Sequence, residues 1–195
     1  MIFRNKYKTI WELARPYLDT RNNDLHARMS TGFAYRILDK ESGDEAVVIP
    51  AIMLHDVGWK EVPEELQSKA FGPKVTMLEW NRIHEVEGVK IAEGILERVH
   101  YDQEKIQEIL VIIDGHDSRN EPVSLNDRIV KDADKLFRYT REGFIQLQKT
   151  YGYTFRQYLD RLRSHLNPWF LTATGRQIAM EEIRGRMKDS DDGVL

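Results

Sequence analysis

The run Val47–Leu54, VVIPAIML, carries no polar side chain and ends abruptly in His55 and Asp56. Such a segment leaves no face for water, so other elements must enclose it on most sides. An imidazole beside a carboxylate at the end of it is not explained by packing. Burying a charge without a partner is costly, so such groups are paired or bind metal. Gly58 then lets the chain turn away, and Lys60 and Glu61 return it to water. The stretch Ala51–Trp59, AIMLHDVGW, is therefore the centre around which the rest is organised.

On either side the apolar periodicity is helical. Residues 7–18 place Ile10, Trp11, Leu13, Ala14 and Tyr17 on one face, with Pro16 weakening the end. Asn22, Asn23 and Asp24 offer N-caps for a helix to about Leu38. A helix over 45–57 follows, which Pro50 either kinks or starts. Residues 60–79 are irregular, with Pro63, Gly72 and Pro73, and read as a lid or substrate wall. Further helices are expected over 80–98, 103–114, 125–140, 142–149, 153–165 and 174–188. Ser124 and Asp127 have capping-box spacing, with Asp in place of Glu. No alternating strand pattern occurs. The expectation is an all-α, single-domain helical bundle over 1–188, its core at about 20–140, its C-terminal helices at 141–188, and a flexible tail at 189–195.

Composition narrows the chemistry. A net charge of −3 gives no global basic field for duplex nucleic acid. There is no cysteine, which excludes disulfides and thiolate metal sites. The N-terminus is too charged for a signal peptide, and no apolar run approaches the roughly 20 residues of a membrane span. A cytoplasmic protein that does not enter membranes is expected.

Of six histidines, His26, His55, His84 and His116 recur at helix-sized intervals, each beside an apolar stripe or at a helix end. His100 and His165 lie among charged residues and receive no role. Neutral imidazole and carboxylate are the ligands that divalent transition metals take when thiolate is absent, and a helix bundle supplies them from facing helices. In RIVKDADKLF, both Asp132 and Asp134 flank the stripe Ile129, Val130, Ala133, Leu136 and Phe137. Pattern alone does not choose between them; one coordinates and the other is solvated or supports a ligand.

The order His26, His55–Asp56, His84, His116, Asp134, with LHDVGW and DADKL, resembles the HD-domain superfamily of metal-dependent phosphohydrolases. The resemblance covers roughly residues 20–140, and NPWFLTATGRQIA is similar to one small bacterial branch. It implies that Asp134 is the ligand of the last motif. His26, His55, Asp56 and Asp134 complete one site. His84 and His116 match the extra pair of dinuclear members, in which Asp56 bridges two ions; otherwise they contact substrate phosphate over one ion. The donor set suits iron, manganese, nickel or cobalt, with magnesium also compatible.

The implied activity is hydrolysis of a nucleotide or other small phosphate ester by a metal-activated water, as a phosphomonoesterase, phosphodiesterase or pyrophosphohydrolase. Asp56 is expected to be catalytic, and His116, Asp117 or Lys60 to protonate the leaving oxygen. Lys60, Arg82, Arg119, Lys135 and Arg138 recur beside the motifs as candidates for holding phosphate. Trp59 stands where several hydrolase branches carry a charged residue, and it and Trp80 read as core. Two other readings share the ligand pattern: a di-iron HD-domain oxygenase, and a nucleotide-binding sensor without turnover. A homo-oligomer is compatible with the sequence.

Overall fold

The computed structural model describes residues 4–67, 70 and 78–191; among them no strand occurs and the fold is all-α. After a 3-10 turn at Asn5–Tyr7 come α1 (Lys8–Ala14), a second turn at Arg15–Tyr17 and α2 (Asn23–Leu38). Then follow α3 (Glu45–Leu54), a 3-10 segment Val57–Glu61, α4 (Glu64–Gln67), α5 (Leu78–Arg98) and α6 (Gln103–Ile113). The second half has α7 (Leu125–Leu136), a 3-10 turn Phe137–Tyr139, α8 (Arg141–Tyr151), α9 (Phe155–Ser164), α10 (Leu166–Trp169) and α11 (Ala173–Asp191). No helix among the described residues is long and apolar enough to cross a membrane.

Helix α3 is the axis of the bundle. Every residue from Val47 to Leu54 is buried, and α1, α2, α6 and α7 pack around it. Pro50 lies inside the helix, whose start is set at Asp44, whose carboxylate accepts the Ala46 amide at 2.8 Å. A proline there cannot bond the carbonyl four residues back. That carbonyl, of Ala46, instead accepts the Tyr101 hydroxyl at 2.7 Å. The proline is tolerated because a side chain from the α5–α6 turn replaces the lost donor.

Other expectations shift in detail. At the start of α2, Asn22 makes no side-chain cap bond; Arg21 and Asn22 are both left-handed, at φ 54° and 60°. Ser124 does cap α7 by accepting the Asp127 amide at 3.1 Å. The return bond of a capping box is missing, because Asp127 accepts the Val123 amide instead, at 2.9 Å. The segment read as an irregular wall holds the end of the 3-10 segment, α4 and the start of α5, while its residues 68, 69 and 71–77 lie outside the described residues. The last helix continues to Asp191, three residues into the stretch expected to be tail, with an Arg186–Asp189 ion pair at 3.1 Å.

Asp132 is fully buried and ties α7 to the C-terminal region. It accepts the amides of Leu171 and Thr172, each at 2.8 Å, and the Thr172 hydroxyl at 2.7 Å. Burial pushes its carboxyl above the ordinary carboxylate value, against the pull of these donors. Asp132→Ala strands three donors, and each buried unsatisfied group costs about 1–3 kcal/mol. Denaturant unfolding should show a loss of roughly 3 kcal/mol or more, with metal content unchanged. A variant that unfolds like the wild type would remove this anchoring role.

Candidate metal centre

The donors come from different parts of the chain. His26 lies in the first turn of α2; His55 and Asp56 follow α3, His84 lies on α5, His116 and Asp117 follow α6, and Asp134 lies in the last turn of α7. His55 and His84 are fully enclosed, and Asp56, His116 and Asp134 are buried.

The side chains form two groups. In the first, the His26 and His55 Nε2 atoms are 3.0 Å apart, and Asp134 Oδ1 lies 3.2 Å from His26 and 3.7 Å from His55. In the second, the His84 and His116 Nε2 atoms are 3.2 Å apart, with Asp117 Oδ2 at 3.9 and 4.0 Å from them. Asp56 divides its two oxygens between the groups. Oδ2 lies 3.5 Å from both His26 and His55, and Oδ1 lies 3.6 Å from His116 and 4.0 Å from His84. Donor atoms around one transition ion at its usual ligand distance stand about 3–3.5 Å apart, so the spacing within the first group is that of a ligand set.

Tautomers support the fit. His55 Nδ1–H donates to the Ile52 carbonyl at 2.8 Å, and His116 Nδ1–H donates to the Ile113 carbonyl at 2.9 Å. A neutral ring held this way turns a bare Nε2 lone pair on its neighbour. One ring of each facing pair is held this way, and either a proton on the opposite Nε2 or a metal ion satisfies its lone pair. The trios His26–His55–Asp134, His55–Asp56–His116 and His84–His116–Asp117 each could hold an ion.

The local charges are unusual for so buried a place. Burial raises Asp134, but Arg138 and then the His26 and His55 rings outweigh it and hold the carboxyl well below the usual range. Burial likewise raises Asp56, and His55, His116 and His26 more than reverse it. His84 is pushed down to about 4 by burial and by His116. Burial also lowers His116, but Asp56 and Asp117 bring it up to about 9. At neutral pH the acids are ionised and His84 is neutral, the forms a cation requires, while His116 has to release its proton for a cation to bind.

A cavity opens on this cluster, lined in part by His26, Asp56, Asp117 and Asp134, and by Arg21, Trp59, Arg138 and Tyr151. Trp59 stacks on His84 at 4.1 Å, donates its indole N–H to Asp56 Oδ1 at 3.1 Å and lies under the Arg21 guanidinium at 4.4 Å. Of the five basic residues singled out in the sequence, Arg138 lines the cavity, 3.3 Å from Asp134. Lys60 instead reaches the exposed Asp19 at 2.6 Å. Arg82 bonds Glu85 and Asp114, Arg119 bonds Asp127 and the Val111 carbonyl, and Lys135 is half-buried. His100 lies in the turn after α5 at φ 52°, and His165 stands against Trp169 at 4.2 Å, both outside the cluster.

Arg21 and Tyr151 were not legible as site residues. Asp117 carried a signal as a donor, since DGHDS repeats at the end of the apolar α6 what LHDVGW does at the end of α3.

Comparison with known proteins adds to this geometry. The HD domain family model matches residues 24–139. No curated protein matches the sequence. Among solved structures, the chain resembles a predicted HD superfamily hydrolase from an uncultured Thermotogales bacterium. The TM-score is 0.64 at 18% identity, over 96% of this chain and 90% of that one. At that identity the likeness is one of fold.

Proposed function

The chain belongs to the HD-domain superfamily, and from that membership we propose that it is a metal-dependent phosphohydrolase. Its substrate is a nucleotide or another small phosphate ester, and two divalent transition ions serve it. His26, His55, Asp56 and Asp134 would hold the first ion, and His84, His116, Asp117 and Asp56 the second. The observation that carries this reading is the division of the two Asp56 oxygens between two histidine pairs. When bound, such ions supply Lewis-acid charge and bring the pKa of a bound water to roughly 7.

The chain's own groups do the rest. Asp56 is aimed by the Trp59 indole N–H, which fixes which oxygen faces which group. Arg138 and Arg21 reach the cavity and hold the phosphoryl oxygens, whose charge grows as the bond to the leaving group breaks. Tyr151, raised above the ordinary phenol value by burial, keeps its proton at neutral pH and donates to the substrate. Asp19 holds Lys60 on the exposed surface, so phosphate binding is assigned to the arginines.

The test begins with metal counted per chain, where two ions are expected. Mn²⁺ at about 100 times its dissociation constant adds roughly 2.7 kcal/mol to chelator-stripped protein. That raises Tm by about 5–10 °C for a chain of this size. A phosphate-release screen over nucleotides and simple esters should then give turnover, and Arg21→Gln should raise KM about tenfold or more with metal content unchanged. Oxygen uptake with iron and no phosphate release would overturn hydrolysis in favour of the oxygenase reading. Tight nucleotide binding with no product would do so in favour of a sensor.

A further inference from the structure

Two buried ions outside the donor set grip the segment that carries His116 and Asp117. Lys131 on α7 is 2% exposed, and its ammonium donates to the carbonyls of Gly115 at 2.6 Å, His116 at 2.7 Å and Arg119 at 3.0 Å. Three donors meet three acceptors, and Asp127 stands 4.0 Å away to balance the charge. Glu85, fully buried and adjacent to His84 on α5, accepts the amides of Asp117 at 3.0 Å and Ser118 at 2.8 Å. Its other oxygen accepts the Ser118 hydroxyl at 2.6 Å and Arg82 Nη1 at 2.9 Å.

We propose that Lys131 and Glu85 are a positioning pair that sets the second group of metal donors, one holding the carbonyls of the 115–119 segment and the other its amides. Neither side chain is among the donors. The segment has no regular secondary structure after α6 to fix its two donor side chains, His116 and Asp117. Each gripping residue stands on a helix that also contributes a donor: His84 directly precedes Glu85, and Asp134 lies one turn beyond Lys131. The pair thus holds His116 and Asp117 in register with both helices. Groups that orient ligands in this way are worth about 10–100-fold in metal affinity.

The proposal rests on the two-ion reading, and its test separates the two. Full-length wild type, Glu85→Gln and Lys131→Met are titrated with Mn²⁺ alone, with bound ions counted by dialysis and the Mn²⁺ spectrum recorded by electron paramagnetic resonance. In the wild type, two ions and an exchange-coupled spectrum are expected. In both variants the first ion should bind as in the wild type and the second about 10–100-fold more weakly, leaving the six-line spectrum of an isolated ion. If Lys131→Met does not fold, Glu85→Gln, which keeps shape and one acceptor oxygen, decides alone. Variants that bind both ions at wild-type affinity overturn the positioning pair and leave the two-ion reading standing. Equal weakening of both ions, or failure of Glu85→Gln to fold, assigns the pair a purely structural role and overturns it. Wild type that binds fewer than two ions overturns both.

Discussion

Asp56→Ala should abolish turnover and empty both metal sites at once, which no other single donor substitution would do. Each other donor stands nearer one group, whereas the two Asp56 oxygens lie 3.5–4.0 Å from all four ring nitrogens. Losing a ligand should exceed the roughly 10–100-fold that loss of a supporting group costs. Its absence also removes the acceptor of the Trp59 indole N–H and the acid that raises His116. Asp134→Ala, by contrast, should release the first ion while the second remains. Metal counted per chain with phosphate release on the same samples checks both variants. Hydrolysis retained in Asp56→Ala would rule out the proposed mechanism.

The second large effect is expected at Gly58. A Cβ there would lie 1.9 Å from the His84 carbonyl oxygen and 2.4 Å from the Gly88 amide nitrogen. Both obstacles are backbone, so no rotamer change relieves them. The 3-10 segment and α5 would have to separate, carrying His84 from Trp59 and from the second donor group. Overpacking costs about 1–3 kcal/mol even where side chains can move. Gly58→Ala should therefore fall at or above the top of that range, lowering Tm by roughly 6–12 °C and weakening the second ion. Gly94, in the interior of α5, has no atom within 4 Å of an added Cβ among the described residues. Gly94→Ala is the control, expected to gain about 0.5–1 kcal/mol. Equal melting temperatures for the two variants would mean that the close approach at Gly58 is not there.

What could be read from the sequence followed from local rules. Apolar spacing gave the helices, because 3.6-residue periodicity survives whatever the helices pack against. The donor residues stood out because imidazoles and acids at helix ends conflict with burial unless they share a partner. Pattern could not separate Asp132 from Asp134, since both flank one buried stripe. The distinction lies about 40 residues downstream, where Leu171 and Thr172 occupy one carboxylate and leave the other to His26. Lys60 looked like a phosphate ligand because it follows the His–Asp pair, yet Asp19 holds it elsewhere, a contact invisible to spacing. Arg21 was hidden for a different reason. Two successive left-handed residues turn it into the cavity, and nothing in RNND announces that both would adopt this costly backbone. The reciprocal cap of Thr154 and Gln157 at α9 was missed although both residue types fit the rule.

The indole of residue 59 lies between an imidazole of one donor group and a guanidinium that lines the cavity, with its N–H on the shared carboxylate. With Trp11, Trp80 and Trp169 replaced by Phe, its emission becomes a built-in optical gauge. Quenching or recovery on loading the protein would follow events at the centre of the molecule without any attached dye.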